Sequence, residues 1–179
     1  MGGEDWELWI KALKDADVLE DNALTIAYSY IGPKLTHPIY YNGTIGRAKA
    51  DLYKTADAID AAYPGVSAYV SVNKALVTQS SSAIPIVPLY MSLLYKVMKE
   101  KGLHEGCIEQ MYRLMCCCIC AEGGIPVDEQ RLIRLDNYEM SDEVQNEISR
   151  LWESISEDNI KEIADIEGYW KEFYEIFGF

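Results

Sequence analysis

Apolar and polar residues alternate along the first half of the chain with the two periods that distinguish helices from strands. Apolar residues spaced three and four apart predict amphipathic helices over 6–13 and 44–63. The segments 24–32 and 66–72 are rich in β-branched and aromatic residues, which favours buried strands. A strand, a helix and a strand in this order form a βαβ unit, so we expect a parallel sheet.

The second half of the chain has a mainly helical pattern. Residues 86–101 are apolar on nearly every side and predict a buried helix, and 103–120 predict another. An apolar stripe over 144–155 and two short helices, near 157–165 and 168–177, complete the pattern. Two strands alone cannot form a sheet that is covered on both faces. The pattern therefore indicates the C-terminal part of a larger, helix-rich α/β fold.

The charge of the chain limits its partners. Sixteen Lys and Arg residues against 29 Asp and Glu residues give a net charge of −13. This excess of negative charge argues against nucleic acid and against an anionic membrane surface as partners. Residues 34–101 alone carry a net charge of +4, which suits a phosphate-bearing small molecule. Lysines on solvated helix faces explain the same local charge without any ligand.

The cysteines indicate a reducing compartment. Their number is odd, and four of the five are crowded into residues 116–120, which predicts free thiols and a cytoplasmic protein. We expect this run to pack as small apolar residues on a buried helix, and no spacing indicates a metal site. The N-terminus has no signal-peptide core, and the longest apolar stretch, 12 residues from Ile84 to Tyr95, is too short to span a bilayer.

Candidate chemistry centres on tyrosines near the first predicted strand and its exit: Tyr28, Tyr30, Tyr40, Tyr41 and Tyr53. Lys49 lies on the helix that follows. A lysine ammonium favours the ionised form of a nearby tyrosine and makes it a better acid. Tyr–Lys pairs have this role at the strand ends of many nicotinamide-dependent reductases, although both residue types are common and the spacing alone also fits chance. The chain contains no G-x-G-x-x-G fingerprint, and its nearest glycine pattern is Gly43-x-x-Gly46.

The run AYSYIGPKLTHPIYYNGTIGRAKADL (27–52) resembles the NADH-dependent trans-2-enoyl-CoA reductases and the related V-type bacterial enoyl-ACP reductases. Tyr40 and Lys49 have the Tyr-x8-Lys spacing of that family. Four further segments agree with it: MGGEDWELWIKAL (1–13), SVNKALVTQSSSAIPIVPLYMSLLYKVMKEKGLHEGCIEQMYRL (71–114), IRLDNYEM (133–140) and GYWKEFYEIFGF (168–179).

The resemblance implies roles for individual residues. Tyr40 would be the catalytic proton donor, Lys49 would hold the nicotinamide ribose and assist Tyr40, and Tyr30 would contact the thioester carbonyl. The residues implied to lie against the cofactor are Leu76, Val77 and Thr78, and those implied to line the acyl pocket are Val87 and Tyr95. The implied reaction is reduction by NADH of the C2=C3 double bond of a trans-2-enoyl thioester, as enoyl-CoA or enoyl-ACP, in fatty acid metabolism.

The same resemblance implies a domain organisation. It implies a Rossmann-like, short-chain-reductase-like parallel sheet, with residues 1–80 as its end and 81–179 as a helical substrate-side region of the same unit. The N-terminal half that carries the family's dinucleotide fingerprint is missing, and MCCCICAEGG (115–124) replaces a more polar stretch. We therefore expect the isolated chain to be inactive, and either to self-associate through an exposed sheet edge or to be only marginally stable. The alternatives are a subunit that needs a separate nucleotide-binding chain, or a non-catalytic remnant that serves as an interaction module.

Overall fold

The computed structural model describes residues 2–179, which form a small parallel sheet surrounded by helices. The strands are β1 (Ala23–Ser29), β2 (Val66–Val72) and β3 (Leu132–Arg134). The helices are α1 (Glu4–Asp15), α2 (Thr44–Ala62), α3 (Gln79–Ser82), α4 (Val87–Glu100), α5 (Cys107–Arg113), α6 (Asp142–Ser154), α7 (Ile160–Ile163) and α8 (Ile166–Glu175). A π-helical segment, Leu114–Ile119, continues α5, and a 3₁₀ turn, Leu135–Asn137, follows β3.

The β1–α2–β2 unit confirms the predicted parallel βαβ arrangement. β1 and β2 pair in parallel from Ala23 opposite Val66 to Ser29 opposite Val72. β1 ends three residues earlier than the predicted strand, at Ser29, because Gly32 has φ +76° and Pro33 has no N–H to give to a ladder. The shortened strand leaves Tyr30 free to turn away from the sheet, at the edge where ligands bind in α/β folds.

The expectation of two strands was wrong, since β3 adds a third. Val70 lies opposite Leu132 and Val72 opposite Arg134, again in parallel. β3 is only three residues long, so it shows no period that a sequence pattern could reveal. Arg131, immediately before it, has φ +61° and reaches both Asp57 and Asp60 on α2, which fixes the approach of the chain to the sheet. The region 81–179 is therefore not purely helical.

Helices cover both faces of the sheet. On one face the buried side chains of β2 and Leu132 pack against Ile10 of α1 and against Ala56 and Ile59 of α2. On the other face Ile133 packs with Leu114 and Cys118 of the π-helical segment. A second core surrounds α4, whose apolar residues pack against α6 and α8, as its sequence predicts. The order β1-β2-β3 leaves β1 at one edge of the sheet.

The cysteine run does not pack as expected. Cys118 is buried, but Cys116, Cys117 and Cys120 are exposed, so the expectation of a buried helix was wrong for three of the four residues. The reason is geometric, because the segment packs on the sheet through one face, so Leu114 and Cys118 are buried while the positions between them face solvent. Between residues 2 and 179 no helix has the length and apolar character needed to cross a membrane.

Candidate active site

A cavity of about 330 Å³ lies beside the carboxyl ends of β1 and β2. The segments that leave these two strands meet at this edge, where the Asn73 amide donates to the Ser29 carbonyl oxygen at 2.9 Å. α2, α3 and α4 contribute the remaining walls. Six of the eight predicted site residues line the cavity: Tyr30, Tyr40, Lys49, Leu76, Thr78 and Val87.

Tyr40 is held at the cavity by the loop between β1 and α2. Its backbone amide donates to the Thr36 carbonyl oxygen at 2.9 Å, and its ring meets the ring of Tyr30 edge-on, with centroids 5.3 Å apart. Burial raises the pKa of Tyr40 to about 12, and the nearby Tyr53 adds to this rise. Within residues 2–179 the Tyr40 hydroxyl makes no hydrogen bond, so its proton is uncommitted. The expected lowering of its pKa by a lysine is not found, because desolvation of the phenolate dominates.

Lys49 lines the same cavity from the second turn of α2. Partial burial lowers the pKa of its ammonium group, because the charged form loses solvation, and no carboxylate among residues 2–179 forms a salt bridge with it. The preceding glycines have a packing role. A Cβ on Gly46 would lie 1.6 Å from the Tyr41 carbonyl oxygen, so only glycine lets α2 begin this close to the loop that precedes it. Gly43-x-x-Gly46 is thus explained by close packing.

Tyr30 points its hydroxyl away from solvent, to a buried carboxylate that sequence reasoning missed. The hydroxyl donates to Oε1 of Glu139 at 2.9 Å, and the Tyr90 hydroxyl donates to the same oxygen at 2.7 Å. Oε2 of Glu139 accepts from the Ala75 amide at 2.7 Å. Glu139 is fully buried. It is one acid among 29 and follows an irregular turn, so only its place in the segment 133–140 pointed to it.

Lys74 is a second missed residue on the cavity wall. It is 1% exposed; its Nζ donates to the Ala75 carbonyl oxygen at 2.9 Å and lies 4.6 Å from the centre of the Tyr95 ring. Burial lowers the pKa of Lys74 to about 8, although Glu139 attracts its charge and opposes the shift. A lysine directly after a strand carries no sequence pattern that marks it as buried.

Two predicted site residues, Val77 and Tyr95, lie behind the cavity wall. The Val77 amide donates to the Tyr95 hydroxyl at 3.2 Å, and that hydroxyl donates to Oε2 of Glu172 at 2.7 Å. Both residues belong to the core around α4. His104 contacts the same carboxylate, with its Nε2 3.1 Å from Oε1 of Glu172. Over residues 2–179, no three His, Cys, Asp or Glu side chains are grouped as a metal site requires.

Comparison with known proteins decides the family. Residues 1–119 match the family model described as the trans-2-enoyl-CoA reductase catalytic region. The chain belongs to this family. The resemblance of residues 27–52 to this family is thereby confirmed. Residues 127–179 match a second model, described as the enoyl reductase FAD binding domain.

Curated relatives match the chain over its whole length. The trans-2-enoyl-CoA reductase [NADH] of Clostridium perfringens is 58% identical and the enoyl-[acyl-carrier-protein] reductase [NADH] of Coxiella burnetii 54% identical, each over 100% of the chain. The crystal structure of Treponema denticola trans-2-enoyl-CoA reductase in complex with NAD superimposes with a TM-score of 0.93 at 48% identity, covering 97% of the chain. The chain spans 46%, 45% and 44% of these three proteins.

The largest cavity lined by the residues of the FAD-binding match does not suit a flavin. An isoalloxazine ring needs an apolar slot with a few placed polar groups. Residues 161–167 instead line, with α4, an open cavity of about 600 Å³ that is walled mostly by charged side chains. Lys99 in that wall is already paired with Asp165 at 2.6 Å. We therefore derive no step through a flavin.

Proposed function

We propose that this reductase chain forms the proton-donating and substrate-binding part of an enzyme that reduces the C2=C3 double bond of trans-2-enoyl thioesters with NADH. Enoyl-CoA and enoyl-ACP both fit this substrate class. The observation that carries the proposal is the cavity itself, which both Tyr40 and Lys49 line at the strand ends. The names of the relatives support the choice of NADH and of the thioester.

The cavity fits the nicotinamide end of the cofactor. Its apolar lining includes Ile45, Leu76 and Met91, and Lys49 supplies a cationic donor for ribose hydroxyl groups. We propose that Leu76, Val77 and Thr78 support this end, Val77 from behind the wall. The nicotinamide, when bound, supplies a hydride to C3 of the substrate.

Tyr40 would complete the reduction by giving its proton to C2 of the enolate. With a pKa of about 12 it keeps this proton at neutral pH until negative charge develops on the substrate. Before the proton moves, the hydroxyl stabilises the enolate oxygen as a hydrogen-bond donor. The Tyr40 phenolate then recovers a proton from solvent.

Substrate binding would use the apolar side of the cavity. Val87, at the start of α4, lines it together with Ile84 and Met91, and these side chains suit an acyl chain. Tyr30 lines the same cavity beside Tyr40 and is proposed as a substrate-binding residue. Tyr95 reaches the cavity only through the Val77 backbone, so its proposed role in the acyl pocket is support of the wall.

The alternative proposal is that the chain works only with a separate nucleotide-binding chain, or that it is not catalytic. The absence of G-x-G-x-x-G from the 179 residues supports it, because the NADH pyrophosphate then lacks its usual glycine-rich turn. We propose that the 179-residue chain alone is inactive. The exposed β1 edge, with Leu24 40% and Tyr28 52% exposed, is the proposed surface for a missing half or for self-association.

The test is NADH oxidation with a trans-2-enoyl-CoA substrate, by the chain alone and by the chain mixed with a polypeptide that carries a dinucleotide fingerprint. We expect oxidation that depends on the enoyl substrate in the mixture and not in either component alone. Activity of the chain alone would contradict only the proposed inactivity. A mixture in which the two polypeptides associate but no substrate-dependent oxidation occurs would contradict the reductase function and favour a non-catalytic role.

A further inference from the structure

The buried carboxylate of Glu139 connects three segments that form the floor of the cavity. It accepts hydrogen bonds from Tyr30 after β1, from the Ala75 amide after β2 and from Tyr90 in α4. Gln145 of α6 fixes both Tyr90 and Glu139. Its Nε2 donates to the Tyr90 hydroxyl at 3.1 Å and to the Glu139 carbonyl oxygen at 2.7 Å. Tyr30 and Ala75 line the cavity, so Glu139 holds two of its wall positions without lining it.

Burying a carboxylate costs free energy of desolvation, which hydrogen bonds and nearby positive charge must offset. Burial raises the pKa of Glu139, and the Ala75 amide, the Tyr90 hydroxyl and the positive charge of Lys74 offset only part of this rise. A leucine of similar volume would fill the same space without this desolvation cost. The carboxylate therefore provides something that packing alone does not, namely acceptors at fixed places.

The protons of the two tyrosines show what these acceptors do. A tyrosine hydroxyl has one proton to donate. The Tyr90 oxygen accepts from Gln145, so its own proton goes to Oε1 of Glu139. Tyr30, which lines the cavity, donates its only proton to the same oxygen, so its hydroxyl has only lone pairs left for a ligand. Tyr40, whose hydroxyl makes no hydrogen bond within residues 2–179, keeps a proton to donate.

We propose that Glu139 is the positioning residue of this cavity, which takes the proton of Tyr30 and thereby makes Tyr30 a hydrogen-bond acceptor towards the ligand and leaves Tyr40 as the donor. The inference rests on the proposed function, since it assigns the direction of two hydrogen bonds at the same site. It also replaces the contact of Tyr30 with a thioester carbonyl, because two acceptors do not bond. Tyr30 suits an N–H or O–H group of the ligand.

An isosteric substitution of Glu139 reverses the direction of the Tyr30 hydrogen bond. In Glu139→Gln the amide oxygen can accept from the Ala75 amide, and the amide nitrogen then donates to the hydroxyl oxygens of Tyr30 and Tyr90. Tyr30 becomes an acceptor towards residue 139 and a donor towards the cavity. The proton of Tyr90 loses its acceptor, and adding Tyr90→Phe removes that buried unpaired group.

The experiment is resonance Raman spectroscopy of the tyrosine Fermi doublet, whose intensity ratio distinguishes a donating from an accepting phenol, on the 179-residue chain. The Tyr30 signal is isolated by subtracting the spectrum of Tyr30→Phe from that of the wild type. The same subtraction, with and without Tyr30→Phe, is made in the Glu139→Gln, Tyr90→Phe background. Asp136→Asn is the matched control, because Asp136 is also a buried acid of this segment but pairs with Arg134.

We expect Tyr30 to show a donating signature in the wild type and in Asp136→Asn, and an accepting signature in the Glu139→Gln, Tyr90→Phe background. A wild-type Tyr30 that accepts would mean that Glu139 carries the proton itself, and it would overturn the proposal, as would an unchanged signature in a cooperatively folding Glu139→Gln, Tyr90→Phe variant. If that variant does not fold, the difference spectrum between wild type and Tyr30→Phe still tests whether Tyr30 donates its proton.

Turnover gives a second test where the reductase is active. Tyr30→Phe should lower kcat by about tenfold, the loss expected when one ordinary hydrogen bond to the ligand is removed, and by less than Tyr40→Phe does. A loss as large as that of Tyr40→Phe would overturn the assignment of Tyr40 as the donor. Absence of all reductase activity would defeat the proposed function, while the Raman result would still support or overturn the role of Glu139.

Discussion

Replacing Tyr40 by phenylalanine should lower kcat for enoyl-thioester reduction by about 10²–10³-fold, the usual cost of removing one donor to a developing oxyanion. The measurement is steady-state NADH oxidation by the active mixture of polypeptides. The substitution removes the hydroxyl and keeps the ring, which packs edge-on against Tyr30, so the fold and the cavity shape should be retained. KM for the enoyl substrate should change little, because the lost interaction forms mainly in the transition state.

Tyr41→Phe is the control for this loss. Tyr41 is the next residue in the same loop, but it is 44% exposed and stacks on His37 instead of lining the cavity. Its kcat should remain near that of the wild type. Equal losses in the two variants would point to damage of the loop, and an unchanged kcat in Tyr40→Phe would remove Tyr40 from its proposed role.

The second large effect concerns stability and pH at Lys74. The pKa of its ammonium group is about 8 in the folded chain, against 10.5 for a fully solvated lysine, so the unfolded chain binds more protons between these values. The free energy of unfolding should therefore rise with pH from 8, by about 2–3 kcal/mol up to pH 10 at 1.36 kcal/mol per unit. Below pH 8 both states are protonated and this contribution is flat. Above pH 10 the buried tyrosines, whose pKa values are raised, oppose it.

Denaturant melts of wild type and Lys74→Met at several pH values between 7 and 10 would measure this contribution. The substitution should remove most of the rise; Lys49, whose pKa is also lowered by burial, would supply the remainder. Lys54→Met, an exposed lysine of α2, should leave the pH profile unchanged. A rise of equal size in wild type and Lys74→Met would show that Lys74 does not carry it.

The sequence predicted those elements whose patterns are long. α2, β2 and α4 each repeat their apolar period over several turns or residues, and the structure places them within one or two residues of the expected ends. β3 was missed because three residues carry no period, and its position depends on contacts of Arg131 with α2. The exposed cysteines were misjudged because the helical segment packs on the sheet through one face only, so neighbouring cysteines in the run cannot all be buried.

The sequence predicted the Tyr40 and Lys49 part of the site but not Glu139 or Lys74. Tyr40 and Lys49 lie close together in sequence with a spacing that a family shares, and the structure brings both to one cavity. Glu139 lies 109 residues from Tyr30 and 64 from Ala75, so their contact is a product of tertiary packing. The burial of Lys74 and its low pKa also arise only when α4, α5 and the segment around Glu139 close around it.

The central claim is that hydride goes to C3 and the proton to C2 of an enoyl thioester bound beside Tyr40. The most direct measurement is the position of deuterium in the saturated thioester formed by the active mixture in D₂O with unlabelled NADH, read by NMR. The hydroxyl of Tyr40 exchanges with solvent, so the account predicts one deuterium at C2 and none at C3. Deuterium at C3, or a C2 without deuterium, would contradict it.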